Sequence, residues 1–112
     1  MENEYCKDKV QLYKGDCLEL MKDIPDKSID MILCDLPYGT TQNKWDAVIP
    51  FDDLWREYKR IIKDNGVIVL TSQGLFTAKL LLSNEKWFKY KLVNTCKILI
   101  CFRVFLKAFY LR

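Results

Sequence analysis

The sequence predicts an α/β domain built on a mostly parallel open sheet with flanking helices, and three observations carry that expectation. Met31-Ile32-Leu33-Cys34 and Val67-Ile68-Val69-Leu70-Thr71 are nearly continuous apolar runs, the pattern of strands covered on both faces. Between them Phe51, Leu54, Trp55, Tyr58 and Ile62 recur at helical spacing. Strand-like and helix-like segments also alternate along the whole chain, the order of a layered α/β domain. With 112 residues, half of them hydrophobic, the chain supplies one such domain and not two.

Taken in order, Val10-Gln11-Leu12-Tyr13 predicts a short first strand, stopped at Lys14-Gly15-Asp16. Asp16 followed by Glu19 is a capping-box pattern. Cys17, Leu20, Met21 and Ile24 then share one helical face until Pro25-Asp26 ends the helix. The buried strand at 31–34 runs into a polar stretch from Asp35 to Pro50, a long loop of the kind that carries function. In the next helix Asp52 and Asp53 suit the positive end, and Asn65-Gly66 is a usual C-terminal stop. After the strand at 67–71, Leu75 to Leu82 predicts a third helix, and Phe88, Tyr90 and Leu92 alternating with lysines predict a half-buried edge strand.

Composition and charge change near residue 94. Residues 1–93 hold fourteen Lys and Arg against fifteen Asp and Glu, whereas 94–112 hold Lys97, Arg103, Lys107, Arg112 and no acid. Ile98-Leu99-Ile100-Cys101-Phe102 reads as a buried strand, yet Val104, Phe105, Leu106, Phe109 and Leu111 follow with no turn residue between. The chain therefore divides into 1–93 and an atypical basic, apolar tail, 94–112, which reads as either a phosphate-gripping strip or a frameshifted end.

Several functions are excluded. There is no histidine, so Ser/His/Asp and Cys/His nucleophile systems are ruled out. The cysteines at 6, 17, 34, 96 and 101 form no C-x-x-C pair, and no metal site is expected. No apolar run approaches the roughly 20 residues of a membrane helix. The acidic start, Met1-Glu2-Asn3-Glu4, is unlike a secretory signal, so a cytoplasmic protein is expected.

Ligands of an open parallel sheet bind beyond the carboxyl ends of its strands. Asp35-Leu36-Pro37-Tyr38-Gly39 begins at such an end. It offers a carboxylate, the main-chain carbonyl of Leu36, a rigid proline and a flat ring. The exocyclic amine of a nucleobase is a poor nucleophile, because its lone pair is delocalised into the ring. Two acceptors on its N–H groups draw the nitrogen toward tetrahedral geometry, and Asp35 with the Leu36 carbonyl are two acceptors. Stacking on the Tyr38 ring, at roughly 1–3 kcal/mol, offsets part of the few kcal/mol that extruding a base costs.

This segment resembles the D-P-P-Y motif of the amino-group DNA methyltransferases. Lys14-Gly15-Asp16-Cys17-Leu18-Glu19-Leu20-Met21, followed by Ile24-Pro25-Asp26-Lys27-Ser28-Ile29-Asp30, is similar to the stretch that leads into the motif where the catalytic block comes first (the beta subgroup). Trp45-Asp46 is similar to phage and restriction-modification members. The likeness covers about residues 10–93. It implies a Rossmann-like methyltransferase fold, S-adenosylmethionine as donor, and double-stranded DNA with a flipped target base as partner. Asp at the first motif position implies adenine-N6 over cytosine-N4. Asp35, Leu36, Pro37 and Tyr38 are the implied catalytic residues, and Asp16 and Asp35 the implied cofactor contacts.

Two departures accompany the likeness. Leu36 stands where the family usually has proline; its carbonyl survives the exchange, while some loop stiffness is lost. The family's F-x-G-x-G cofactor loop has no counterpart, since Gly15, Gly39, Gly66 and Gly74 are dispersed. A chain truncated at its C-terminus is therefore expected, and an inactive remnant is one alternative. A small non-enzymatic α/β binding module, with Asp35 capping a turn, is another. Asp16 serves equally as helix cap or cofactor contact, and Trp45 equally as DNA contact or edge packing. Phe51, Trp55 and Tyr58 are core residues on this reading.

Overall fold

The computed structural model describes residues 10–44, 46–93 and 98–103. The elements run α1 (Cys17–Leu20), a 3-10 turn (Met21–Asp23), β1 (Ile29–Asp35), α2 (Phe51–Ile61), β2 (Ile62–Ser72), α3 (Leu75–Ser83), β3 (Phe88–Val93) and β4 (Ile98–Arg103). The strands form one sheet in the order β1-β2-β4-β3. This α/β arrangement is compatible with a methyltransferase fold.

The sheet is mixed rather than mostly parallel. β1 and β2 are parallel, but β4 is antiparallel to both β2 and β3. Four residues separate β3 from β4, far fewer than the dozen or so that a parallel crossover needs, so this pair runs antiparallel. Part of the segment read as a tail is thus a central strand: Ile100 and Phe102 are fully buried and Cys101 nearly so. Residues 104–112 lie outside the described residues, as do Trp45, Cys6 and Cys96.

Strand alternation sorts the sheet into two faces. Ile32, Cys34, Ile68, Leu70 and Phe102 fall on one by register, and Met31, Leu33, Asp35, Val67, Val69 and Thr71 on the other. The helices pack on the first face. Trp55 of α2 meets Phe102 edge-on at 4.8 Å, and its indole N–H donates to Ser83 Oγ of α3 at 2.9 Å. Thr77 of α3 donates to Ser72 Oγ at 2.9 Å. Cys34 of β1 packs on this face against the core cluster that contains Tyr58 of α2. Burial pushes the Cys17 thiol and the Tyr58 phenol above their ordinary pKa values and so disfavours their charged forms.

Three further expectations are corrected. Val10 makes only an isolated bridge and Gln11–Tyr13 form no strand, leaving Val10, Leu12 and Tyr13 exposed; alternation alone provides no pairing partner. Met31 and Leu33 are 54% and 68% exposed, so β1 is covered on one face and not on both. Asn65-Gly66 does not end α2. The helix stops at Ile61, and β2 starts immediately with a register shift opposite Ile29/Met31. Gly66 is needed at that irregularity, because a Cβ would collide with the Ile62 side chain and sit 2.9 Å from the Lys63 carbonyl.

Arg60 ties the entry of β1 to α2. Its guanidinium donates to the carbonyls of Met21 (2.6 Å) and Ile24 (2.8 Å) and to Asp26 (2.7 Å) and Glu57 (2.8 Å). The planar fork satisfies turn carbonyls and carboxylates together, as a lysine's single ammonium does not. This clamp, with Lys27 and Ser28 amides donating to the last carbonyls of α2, sets where β1 begins.

Candidate active site at the carboxyl end of β1

Because β1 and β2 are parallel, their carboxyl ends lie at the same sheet edge, where Asp35 and Thr71 are register partners. Both side chains fall on the same face, so they meet. The Thr71 hydroxyl donates to Asp35 Oδ1. The Tyr38 hydroxyl lies 2.8 Å from Thr71 Oγ1 and 3.0 Å from Asp35 Oδ1. One consistent hydrogen pattern runs from Tyr38 to Thr71 to Asp35. A chain of this kind strengthens each of its bonds.

The motif's own geometry follows from what each residue buries. Leu36, 4% exposed, inserts its side chain into the core and anchors the loop where the strand leaves the sheet. Pro37 limits the backbone just after it. Tyr38 is half-buried, with its ring tilted 36° against Phe76 at a centroid distance of 5.1 Å. Phe76 in turn meets Phe51 at 5.8 Å, so the Tyr38 ring rests on an aromatic ledge built by α2 and α3.

Asp46 holds the loop closed. Its buried carboxylate accepts from the amides of Gly39 (3.1 Å) and Thr41 (2.8 Å) and from the Thr41 hydroxyl (2.7 Å). These donors, the Thr41 hydroxyl first, hold its pKa below the ordinary value of 3.8. Gly39 has φ +73°, and a Cβ there would lie 2.6 Å from Val48 Cγ2. Both the backbone angle and the space require glycine at this position.

Two hollows flank the motif. One, of about 340 Å³, is lined by Asp35, Leu36, Pro37, Tyr38, Thr40, Thr41 and Asp46. The other, of about 590 Å³, lies toward α3 and is bounded by Tyr38, Gly39, Val48, Gly74, Phe76 and Lys79, among others. Tyr38 and Thr40 border both. The four motif residues expected from sequence therefore share one concavity at the strand end.

Asp16 is placed differently. It caps α1, with Oδ1 accepting from the Leu18 amide at 2.9 Å, and it lines neither hollow. The helix it caps nevertheless lies beside the start of β1, since Cys17, Leu20 and Met21 line a hollow together with Ile29. Sequence reading missed Thr71 and Phe76. A polar residue closing an apolar strand was the available signal for Thr71, but its partner depends on register.

Residues 1–98 match the family described as RMKL-like, methyltransferase domain. The chain belongs to this methyltransferase family. It is 34% identical over 80 residues to the Type II methyltransferase M.HinfI of Haemophilus influenzae, covering 51% of this chain and 22% of the relative. It is 26% identical over 107 residues to the Type II methyltransferase M2.MboI of Moraxella bovis, covering 74% and 38%. Against the Type II methyltransferase M.BamHI of Bacillus amyloliquefaciens it is 32% identical over 70 residues, covering 54% and 16%. The chain thus spans well under half the length of these curated relatives. Among the described residues, no helix of this methyltransferase-family chain is long and apolar enough to cross a membrane.

Proposed function

We propose that this chain carries the base-handling half of a DNA methyltransferase that modifies an exocyclic amine, with adenine-N6 as the favoured target. The observation that carries the reading is the convergence of Asp35, Leu36 and Tyr38 on one hollow at the carboxyl end of a parallel strand pair, in a chain of the methyltransferase family. Asp35 and the Leu36 carbonyl accept the two amine hydrogens, Pro37 restrains the loop between them, and Tyr38 stacks on the extruded base. The partner is double-stranded DNA, and the complete enzyme is of the restriction-modification kind, in keeping with the Type II names of its relatives.

S-adenosylmethionine is the donor we assign to the complete enzyme. The residues present do not make a whole site for it: Asp16 is engaged as a helix cap, and the four glycines are dispersed with no cradle among them. Isothermal titration of the 112-residue chain with S-adenosylmethionine tests this: little or no binding is expected, and stoichiometric binding would contradict it.

The test of the leading reading is a graft in which residues 10–93 replace the matching segment of the M2.MboI relative. Nucleoside analysis of methylated DNA should show N6-methyladenine. A folded graft that binds donor and DNA yet transfers no methyl group would remove the assignment, and N4-methylcytosine would remove its adenine part.

A further inference from the structure

Thr71 lies 33 residues beyond Tyr38, outside the motif, yet it contacts both of that motif's polar side chains. A carboxylate at a strand end turns freely about its last torsion unless something holds it. Thr71 is suited to hold it. Its β-branched side chain is stiff on a strand, and the β1–β2 register puts it directly opposite Asp35. Its single hydroxyl donates to Asp35 Oδ1 while accepting from Tyr38 at 2.8 Å, so one atom fixes both the carboxylate and the phenol.

We infer that Thr71 is a positioning residue of the amine-accepting site: it sets the rotation of the Asp35 carboxylate and the height of the Tyr38 ring relative to it. The inference rests on the methyltransferase reading above for its functional meaning, and on the contacts alone for its geometry. An amine offered to a carboxylate that swings loses the two-acceptor arrangement, and misplacement by about 1 Å is enough to cost catalysis heavily.

The full 112-residue chain, labelled with 13C at aspartate carboxyls, serves for the test as wild type, Thr71→Val and Thr71→Ser. Valine keeps the shape and strand preference but removes the hydroxyl; serine keeps the hydroxyl. A carboxylate that accepts a hydroxyl is stabilised in its charged form. Asp35 should therefore titrate at higher pH in Thr71→Val and return in Thr71→Ser, while Asp46, which lines the same hollow, should stay where it is. Identical Asp35 titration in wild type and Thr71→Val would overturn the inference, as would Thr71→Ser behaving like Thr71→Val. The second probe is a duplex carrying an extrahelical 2-aminopurine, whose binding should weaken roughly tenfold in Thr71→Val and recover in Thr71→Ser. Failure of the wild type to bind this duplex would count against the methyltransferase reading, and the carboxyl titration would still decide the role of Thr71.

Discussion

β1 and β4 are both short apolar runs, yet the sheet treats them in opposite ways. β1, expected to be covered on both faces, sits at an edge with Met31 and Leu33 in the open. β4, from a segment whose composition fits poorly with the rest of the chain, is central and fully buried at Ile100 and Phe102. An apolar run records a capacity for burial. It does not say which neighbours will provide it, because those are set by connection length and strand order. β1 uses its open edge position differently: its carboxyl end carries the candidate site, where Asp35, Thr71 and Tyr38 are joined by hydrogen bonds.

The contrast can be broken most forcefully at β4. Phe102→Ala removes a fully buried ring that Trp55 and Phe88 pack against edge-on, and should destabilise the chain by roughly 3–5 kcal/mol in urea unfolding. A loss below 1 kcal/mol would mean that β4 is not the centre of the sheet.

At the carboxyl end of β1, Tyr38→Ala in the graft should weaken binding of an extruded base by about 1–3 kcal/mol. Tyr38→Phe should be milder, because the ring and its Phe76 contact remain and Thr71 still donates to Asp35. Equal damage from the two substitutions would make the hydroxyl, rather than the ring face, the functional part.

Asp46 gives the loop a dependence on acid. Its folded-state pKa lies below the ordinary value of 3.8, so its contribution to stability is complete above that value and disappears as pH falls through the lower, folded one. Asp46→Asn should lower the melting temperature at neutral pH, by less than Phe102→Ala does, and should flatten the acid limb of the stability curve. An unchanged acid limb would remove Asp46 as the loop's anchor.

The smallest effect on stability is expected on the open face of β1. Met31→Lys with Leu33→Lys exchanges exposed side chains and should change stability by about 0.5 kcal/mol or less, while reducing self-association measured by light scattering. A large loss of stability would show that this face is covered in solution.

Much of the candidate site's placement was legible because local chemistry announced it. The apolar run at 31–34 ends at Asp35, so the motif's place at a strand end could be read directly, and Asp16 was readable as a helix cap, although Glu19 pairs with Lys22. The amphipathic pattern of 51–62 likewise located α2, though not its end. What was hidden depended on pairing. Thr71 becomes a partner of Asp35 only through the parallel register, and Val10–Tyr13 alternates like a strand but finds no ladder. Gly66 looked like a helix stop and instead relieves a crowded strand irregularity, a need visible only once Ile62 is placed.

The most direct measurement is methyl transfer by the graft carrying Asp35→Ala, with tritiated S-adenosylmethionine and unmodified DNA, after donor binding and folding have been checked. If Asp35 is an acceptor for the target amine, transfer should fall by at least roughly a hundredfold while both binding steps persist. Transfer near the rate of the unsubstituted graft would contradict the assignment of Asp35 and, with it, the reading of this strand end as the place where the base is handled.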